Sequence, residues 1–509
     1  MKPKYMLTFI SRLWMAALAL AMLPACQSGE AAQTAAPATT EAVATPTGTI
    51  LPGDKDHRIE ITVKNFTGDK AYLAHYFGTS NRLVDSTAVS NGKVVFEGDQ
   101  PLDRGMYLLI LPPRNTYFDF IVDADQHFSL ETDTADFISN MKVDGSEEND
   151  VFYGDMHFMG PLQQERTELL TEFRTPETPD ARKEAIRTRF TEMDGLVMNH
   201  RNEMFQNNPN SFYTKFLQAM MPPQPPAEKP EGAGEFWQWF YIRDHFFDKI
   251  DLSDDRMLRS QALGAKVEEY LDKYTLQAPD SIIKSIDLIV NKAKSNDDVF
   301  QYVVPTLLNK YGVESKVMGM DAVFVSMVEK YYLSGEAWWA DSSMLAEMEE
   351  RARALSPNLI GRPAPDFVAY GMNGENLSLH GVKGKYTILY FWDYDCGHCK
   401  TVTPKLGELY PKYKAMEVAL FAVSINGNEE EWKTKVAEYG IGAGINVQDH
   451  YRRSGFDGMY DVRSTPRIFL LDKDKVIRYK QISVEQLEEI LDRELGLVTD
   501  EETETAAGD

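Results

Sequence analysis

Two cysteines stand with two residues between them in Asp393-Tyr-Asp-Cys-Gly-His-Cys399. This spacing suits dithiol chemistry. A thiolate at the first position attacks a disulfide sulfur, and the second thiol resolves the mixed disulfide so formed. The apolar run before the motif reads as a strand, and the segment from about residue 397 reads as a helix. Cys396 then sits at a helix N-terminus, where free N–H groups and the helix dipole favour thiolate, with Cys399 one turn further in. His398 between them is expected to add positive charge and favour the reduced form. Asp395 directly precedes the first cysteine, and its charge is expected to oppose thiolate formation.

Stepping outward, strand Tyr386–Phe391, the helix from 397, strand Val418–Ser424, a helix around 429–439, strands Arg467–Asp472 and Val476–Lys480 and helix Val484–Leu495 alternate along the chain. That order predicts an α/β domain over 358–497. Its lead-in, Arg362-Pro-Ala-Pro-Asp-Phe367, is held extended by its prolines. Pro404 is expected to kink a helix that carries Val402, Leu406, Leu409 and Tyr413 on one face.

The domain resembles the thioredoxin superfamily, and within it the extracytoplasmic TlpA/ResA-like thiol–disulfide oxidoreductases. The residues that carry the resemblance are Arg362–Phe367, Gly384-Lys385, Phe391-Trp392, Cys396-Gly-His-Cys399, Pro404 and Tyr460-Asp-Val-Arg-Ser-Thr-Pro466. It implies a catalytic pair Cys396 and Cys399, tuned by Trp392, Gly397 and His398, with Asp395 a tuning residue that departs from the family by standing where a Trp is usual. It also implies that Pro466 is cis beside the cysteines and that the backbone at Thr465 pairs with substrate. The chain departs from the family where a buried proton-accepting Asp would stand, which is Tyr390, and three residues after the second cysteine, which is Val402. The base that activates Cys399 is therefore unassigned. The Cys-Gly-His-Cys sequence equals that of protein disulfide isomerase and leans toward an oxidising or isomerising poise.

The N-terminus sets the compartment. Basic Lys2, Lys4 and Arg12 precede an eleven-residue apolar stretch, Leu13–Leu23, and then Leu23-Pro-Ala-Cys26. The stretch has the length of a signal-peptide core and is too short to span a bilayer. The motif resembles a bacterial lipobox, which implies cleavage after residue 25 and lipidation of Cys26. Losing the three basic residues takes the formal charge of −25 to about −28. Residues 26–51 follow as the lipidated cysteine and a flexible linker, since 27–49 hold seven Ala, six Thr and two Pro and almost nothing that could pay for ordering. The protein is expected in the envelope of a Gram-negative bacterium, facing an oxidising periplasm and held on the outer membrane by its lipid.

Between linker and redox domain two further domains are expected. From 52 to 137, candidate strands Arg58–Lys64, Tyr72–Phe77, Leu83–Val89, Lys93–Gly98, Met106–Leu111, Tyr117–Asp123 and His127–Asp133 predict an antiparallel β-sandwich, with Asn91-Gly92 as a hairpin turn. This segment resembles the N-terminal β-domain of Bacteroidetes lipoproteins that also carry a thioredoxin-like domain. From 138 to 357 the pattern is helical. Leu263, Val267, Tyr270, Leu271 and Tyr274 share a helix face, with Ser253 as its N-cap. The aromatic run Phe236–Tyr241 is expected in the core or at an interdomain contact, and the methionines of 196–328 as core filler. The tail, 498–509, is acidic and expected to be disordered.

Composition excludes other classes. Lys+Arg 53 against Asp+Glu 78 does not supply the basic face that nucleic acid requires. Three cysteines, Cys26, Cys396 and Cys399, rule out a disulfide-stapled scaffold, and no further ligands at metal spacing accompany the pair. Haem attachment needs His at position 400, which is Lys; a peroxiredoxin needs Thr at position 393, which is Asp. No metal and no cofactor beyond a redox-active Cys396–Cys399 disulfide is expected. The expected partners are client proteins with thiols or disulfides, an upstream redox partner and the membrane. The competing reading is a non-catalytic envelope scaffold lipoprotein whose thioredoxin-like module is secondary or vestigial.

Overall fold

The computed structural model describes residues 55–449 and 451–497. The signal segment, Cys26, the linker and the acidic tail lie outside the described residues. The chain is multidomain and forms two compact units, one of residues up to Tyr274 with Asn291–Phe300, the other of Thr275–Val290 with the residues from Gln301 on.

The first unit begins with eight strands: β1 (His57–Lys64), β2 (Lys70–Phe77), β3 (Ser80–Ala88), β4 (Lys93–Gly98), β5 (Gly105–Leu111), β6 (Thr116–Val122), β7 (His127–Asp133) and β8 (Lys142–Asp144). They form two four-stranded sheets, ordered β4-β1-β7-β8 and β3-β2-β5-β6. Alternation in β1 buries Ile59, Ile61 and Val63 completely, as period-two patterning requires. Phe120 of one sheet meets Phe128 of the other edge to face at 6.1 Å.

Three features differ from expectation. The pair β1/β7 is parallel, so one sheet is mixed and not antiparallel. The chain leaves β1 and passes through the other sheet before β7, so no tight turn sets their relative direction. Asn91 and Gly92 do adopt positive φ (52° and 74°), and Ser90 and Lys93 exchange two backbone hydrogen bonds across them. Yet the flanking strands enter different sheets, because Val63 N–H donates to Gly92 O at 2.8 Å and draws β4 onto β1. A Cβ at Gly92 would stand 2.4 Å from Val63 O, so glycine is required there. Finally, β8 lies beyond residue 137, in a segment that reads as helical. It is only three residues long and has no buried side chain, so it leaves no periodic signal.

Helices complete this unit. Ser146 caps Glu147–Arg174, which packs against Asp180–Asn207 with Arg189 donating to both oxygens of Glu165 at 2.7 and 2.9 Å. Leu263, Val267, Tyr270 and Leu271 are buried on helix Ala262–Lys273, as their spacing predicts. Ser253 is not its cap. Asp254 caps a separate turn, Asp255–Leu258, and binds the Arg256 side chain, which ends one helix before the next begins. The aromatic run is not core either: helix Trp237–Asp244 has no buried residue, and Phe240 is 47% exposed. Its rings are occupied on the surface, with Trp239 against Tyr274 and the Arg243 guanidinium over Trp239 and Phe240.

The second unit joins helices including Asp321–Met327 and Ser342–Leu355 to a seven-stranded mixed sheet. Its strands are β9 (Val368–Gly371), β10 (Asn376–Ser378), β11 (Tyr386–Trp392), β12 (Val418–Ser424), β13 (Ile445–Gln448), β14 (Arg467–Asp472) and β15 (Ile477–Lys480), in the order β10-β9-β13-β12-β11-β14-β15. β11, β12 and β13 are parallel, and β14 runs antiparallel to β11. Alternation on β11 sends Ile388, Tyr390 and Trp392 into one core, with residues of helices Gly397–Lys414 and Val484–Glu494. Leu389 and Phe391 enter the other, with Phe367, Phe421 and Phe469. A strand buried on both faces reads as a continuous apolar run, which is how β11 announces itself. The short strands β9, β10 and β13 carry too few residues for any pattern to show.

Candidate active site

β11 ends at Trp392, and the chain turns through Asp393–Asp395 into the helix that opens at Gly397, with Cys396 as its N-cap. Cys396 is partly exposed and Cys399 is fully buried; both are free thiols. The Thr465–Pro466 peptide is cis. Cys396 Sγ donates to the carbonyl oxygen of Thr465 at 3.3 Å, and Asp393 N–H points at Cys399 Sγ at 3.5 Å.

The environments push the two thiols apart. Partial burial, the largest single influence on Cys396, disfavours its thiolate. Hydrogen bonds from the Cys399 N–H, the Thr465 side chain, the Cys399 thiol and the His398 N–H together outweigh it, so Cys396 lies below the ordinary thiol value. Burial raises Cys399 to about 12. One sulfur is poised to be a thiolate, the other to stay protonated beneath it.

The remaining sequence-selected residues fall around this pair in distinct ways. His398 is exposed, and its backbone N–H is among the groups that favour the Cys396 thiolate. Gly397 is exposed, and a Cβ there would meet nothing within 4 Å, so it leaves the approach to Cys396 open. Trp392 is buried, and its indole N–H has no hydrogen-bond partner. Asp395 is exposed, and its carboxylate is tied down: Asn426 Nδ2 donates to Asp395 Oδ2 at 2.8 Å and to Asp393 Oδ1 at 2.9 Å. Asn426 Oδ1 accepts from Tyr394 Oη at 2.6 Å and from Gly427 N–H at 2.7 Å.

Asn426 is absent from the sequence reading. Its one signal was position, just past the C-terminal end of β12, the parallel neighbour of β11, where open α/β sheets place their sites. Tyr390, which stands where the family would have an acid, is fully buried and pairs its hydroxyl with Thr403 Oγ1 at 2.8 Å. Among the described residues, no group of three or more His, Cys, Asp and Glu converges as a metal site, and no helix is long and apolar enough to cross a membrane.

Comparison with known proteins places this geometry. Residues 360–480 match the AhpC/TSA family. Residues 57–152 and 229–354 match two domains of unknown function, DUF4369 and DUF5106. The chain is 35% identical over 141 residues to thiol-disulfide oxidoreductase ResA of Bacillus thuringiensis, covering 28% of this chain and 79% of the relative. ResA of Bacillus subtilis is 29% identical over 119 residues, 23% of this chain and 65% of the relative. Among solved structures, a domain of a possible thiol-disulfide isomerase from Cytophaga hutchinsonii is 38% identical, covering 26% of this chain and 92% of that one, with a TM-score of 0.25. A thioredoxin-like protein from Bacteroides caccae is 17% identical, covering 53% of this chain and 97% of that one, with a TM-score of 0.40. Through its C-terminal α/β domain, the chain belongs to the ResA/TlpA-like thiol–disulfide oxidoreductases, and it is an oxidoreductase acting on thiols or disulfides.

Proposed function

We propose that the protein is a lipid-anchored, periplasm-facing enzyme that reduces, oxidises or isomerises protein disulfides through Cys396 and Cys399. The observation that carries this reading is the asymmetry of the pair: a partly exposed Cys396 below the ordinary thiol value over a buried Cys399 pushed up to about 12. The Cys396 thiolate attacks a client disulfide sulfur, one client sulfur leaves as a thiolate and takes up a proton, and Cys396 is left bonded to the client. Cys399 then attacks Cys396, the client leaves as a thiol, and the intramolecular disulfide remains. That disulfide is the only redox group the cycle needs, and an upstream partner returns it to its starting state. Thr465 and Pro466 line the side on which the client lies, since the Thr465 carbonyl already accepts from Cys396. Lipidation of Cys26 would hold the protein at the outer membrane, and the segments before 358 would recruit clients or position the redox domain.

Reduction of a protein disulfide by the full chain tests the reading. Cys396→Ser is expected to abolish turnover, and Cys399→Ser to accumulate a mixed disulfide visible by mass. Turnover that survives Cys396→Ser overturns the mechanism. Cys26→Ser is expected to release the protein from the membrane fraction.

A further inference from the structure

A fully buried thiol with no acid beside it poses a problem for the second half of the cycle. Cys399 must lose its proton to attack, and burial opposes this. Asp393 offers a backbone N–H from the loop after β11, and Thr465 faces it from the segment before β14. The titratable groups facing it are Cys396 on its own helix, Tyr390 on β11 and Tyr439 just beyond helix Glu429–Glu438. Among the described hydrogen bonds, no carboxylate or imidazole reaches Cys399, Tyr390 or Thr403.

Tyr390 and Thr403 have an arrangement that packing alone does not require. Thr403 is four residues after Cys399 on the same helix, so the two share a buried face, about 5–6 Å apart at Cβ. Threonines inside other helices of this chain, Thr167, Thr171, Thr188, Thr191 and Thr434, donate to the carbonyl four residues back. Thr403 instead faces Tyr390 at 2.8 Å, and both residues are fully buried. Two hydroxyls carry two hydrogens, and their mutual contact uses one. The other is left to donate; in the resting structure neither hydroxyl bonds to Cys399 Sγ, which belongs to the same buried cluster as Tyr390 and is the member that becomes charged during the resolving step.

We propose that Tyr390 and Thr403 act as positioning residues for the resolving step, together supplying a neutral hydroxyl donor that stabilises the Cys399 thiolate as it attacks Cys396. The proposal rests on the assignment of Cys399 as the resolving thiol. The Cys399 S–H bond breaks, a Cys399–Cys396 disulfide forms as the Cys396–client bond breaks, and the client sulfur leaves with the electron pair and takes up a proton. Over the cycle the client disulfide gains two electrons and the Cys396–Cys399 pair loses the same two, so no further oxidant or reductant takes part. The phenol itself cannot be the base: burial and the nearby thiols hold it well above its ordinary value. The hydroxyl pair therefore lends a hydrogen bond and keeps its protons.

The test uses the reduced full chain and an aromatic dithiobis(nitrobenzoate) disulfide, whose leaving thiol ionises without help, so the second step reports Cys399 alone. The unaltered chain is expected to release two equivalents of nitrothiophenolate, the first from attack by Cys396 and the second from displacement by Cys399. In Tyr390→Phe the first step is expected to change less than about twofold. The second slows about tenfold or more, the effect of losing a hydrogen bond to a charged group, and its pH midpoint moves upward. Thr403→Val is expected to act in the same direction, with rescue by Thr403→Ser, and provides a second variant independent of the β11 ring. Two equivalents with an unchanged second-step rate and pH profile in both Tyr390→Phe and Thr403→Val overturn the proposal alone. A single equivalent from the unaltered chain overturns the assignment of Cys399, and the proposal with it.

Discussion

Cys396 Sγ donates to the carbonyl oxygen of Thr465 at 3.3 Å although 69 residues separate them in the chain. The contact joins the N-terminus of a helix to the segment leading into β14, the antiparallel neighbour of β11. It places a backbone carbonyl beside the partly exposed sulfur.

The two thiols are expected to titrate on opposite sides of an ordinary cysteine. Cys396 is lowered, so its contribution to the stability of the reduced protein is present above the ordinary thiol value and is lost as pH falls through its folded value. Cys399 is raised, so its contribution is present below the ordinary value and is lost as pH rises toward about 12. Iodoacetamide labelling followed by mass should therefore show Cys396 alkylated at neutral pH and Cys399 protected until strongly alkaline pH. Equal labelling of both at neutral pH would contradict the geometry.

Gly407 is expected to tolerate no side chain. It sits on the helix that carries the cysteines, and a Cβ there would stand 2.0 Å from Tyr439 O and 3.0 Å from the Gly440 carbonyl carbon. Both clashing atoms are backbone, so the helix itself must move. Gly407→Ala should cost about 1–3 kcal/mol by overpacking, read as a fall in the urea midpoint at unchanged slope. A midpoint equal to that of the unaltered chain would show that the helix yields freely.

Lys480 should be intolerant of single substitution. It is 4% exposed at the end of β15 and donates to Asp321, to Asn358 O at 3.0 Å and to Asn358 Oδ1 at 2.8 Å. Burial lowers it against the pull of Asp321. Lys480→Met leaves Asp321 unpaired and should cost about 3–5 kcal/mol, much of it recovered by adding Asp321→Leu. Chemical denaturation of both variants decides this. No recovery in the double variant would mean that Lys480 acts through Asn358 rather than through the ion pair.

Much of the redox domain was legible without coordinates. β11, β12 and β14 are long and apolar on both faces, the cysteine pair sits where strand gives way to helix, and Thr465-Pro466 precedes β14. These are local patterns, and local propensity and burial point the same way at each. The β-region was legible as strands but not as sheets. The positive φ of Asn91 and Gly92 is a property of the turn, whereas the parallel pairing of β1 with β7 depends on a partner far along the chain. Aromatic content suggested a core at Phe236–Tyr241, and the folded chain left it at the surface because Arg243 and Tyr274 supply its ring partners there.

By itself, the sequence determined which atoms are candidates for the chemistry: two thiols with two residues between them, no acid at Tyr390 and a proline after Thr465. Only the tertiary structure decided how unequal those thiols are. Burial is a collective property of residues distant in the chain: it raises Cys399, whereas at Cys396 hydrogen bonds outweigh it. Three-dimensional proximity brings the Thr465 carbonyl to one sulfur, sets Asn426 between two carboxylates and faces Tyr390 with Thr403.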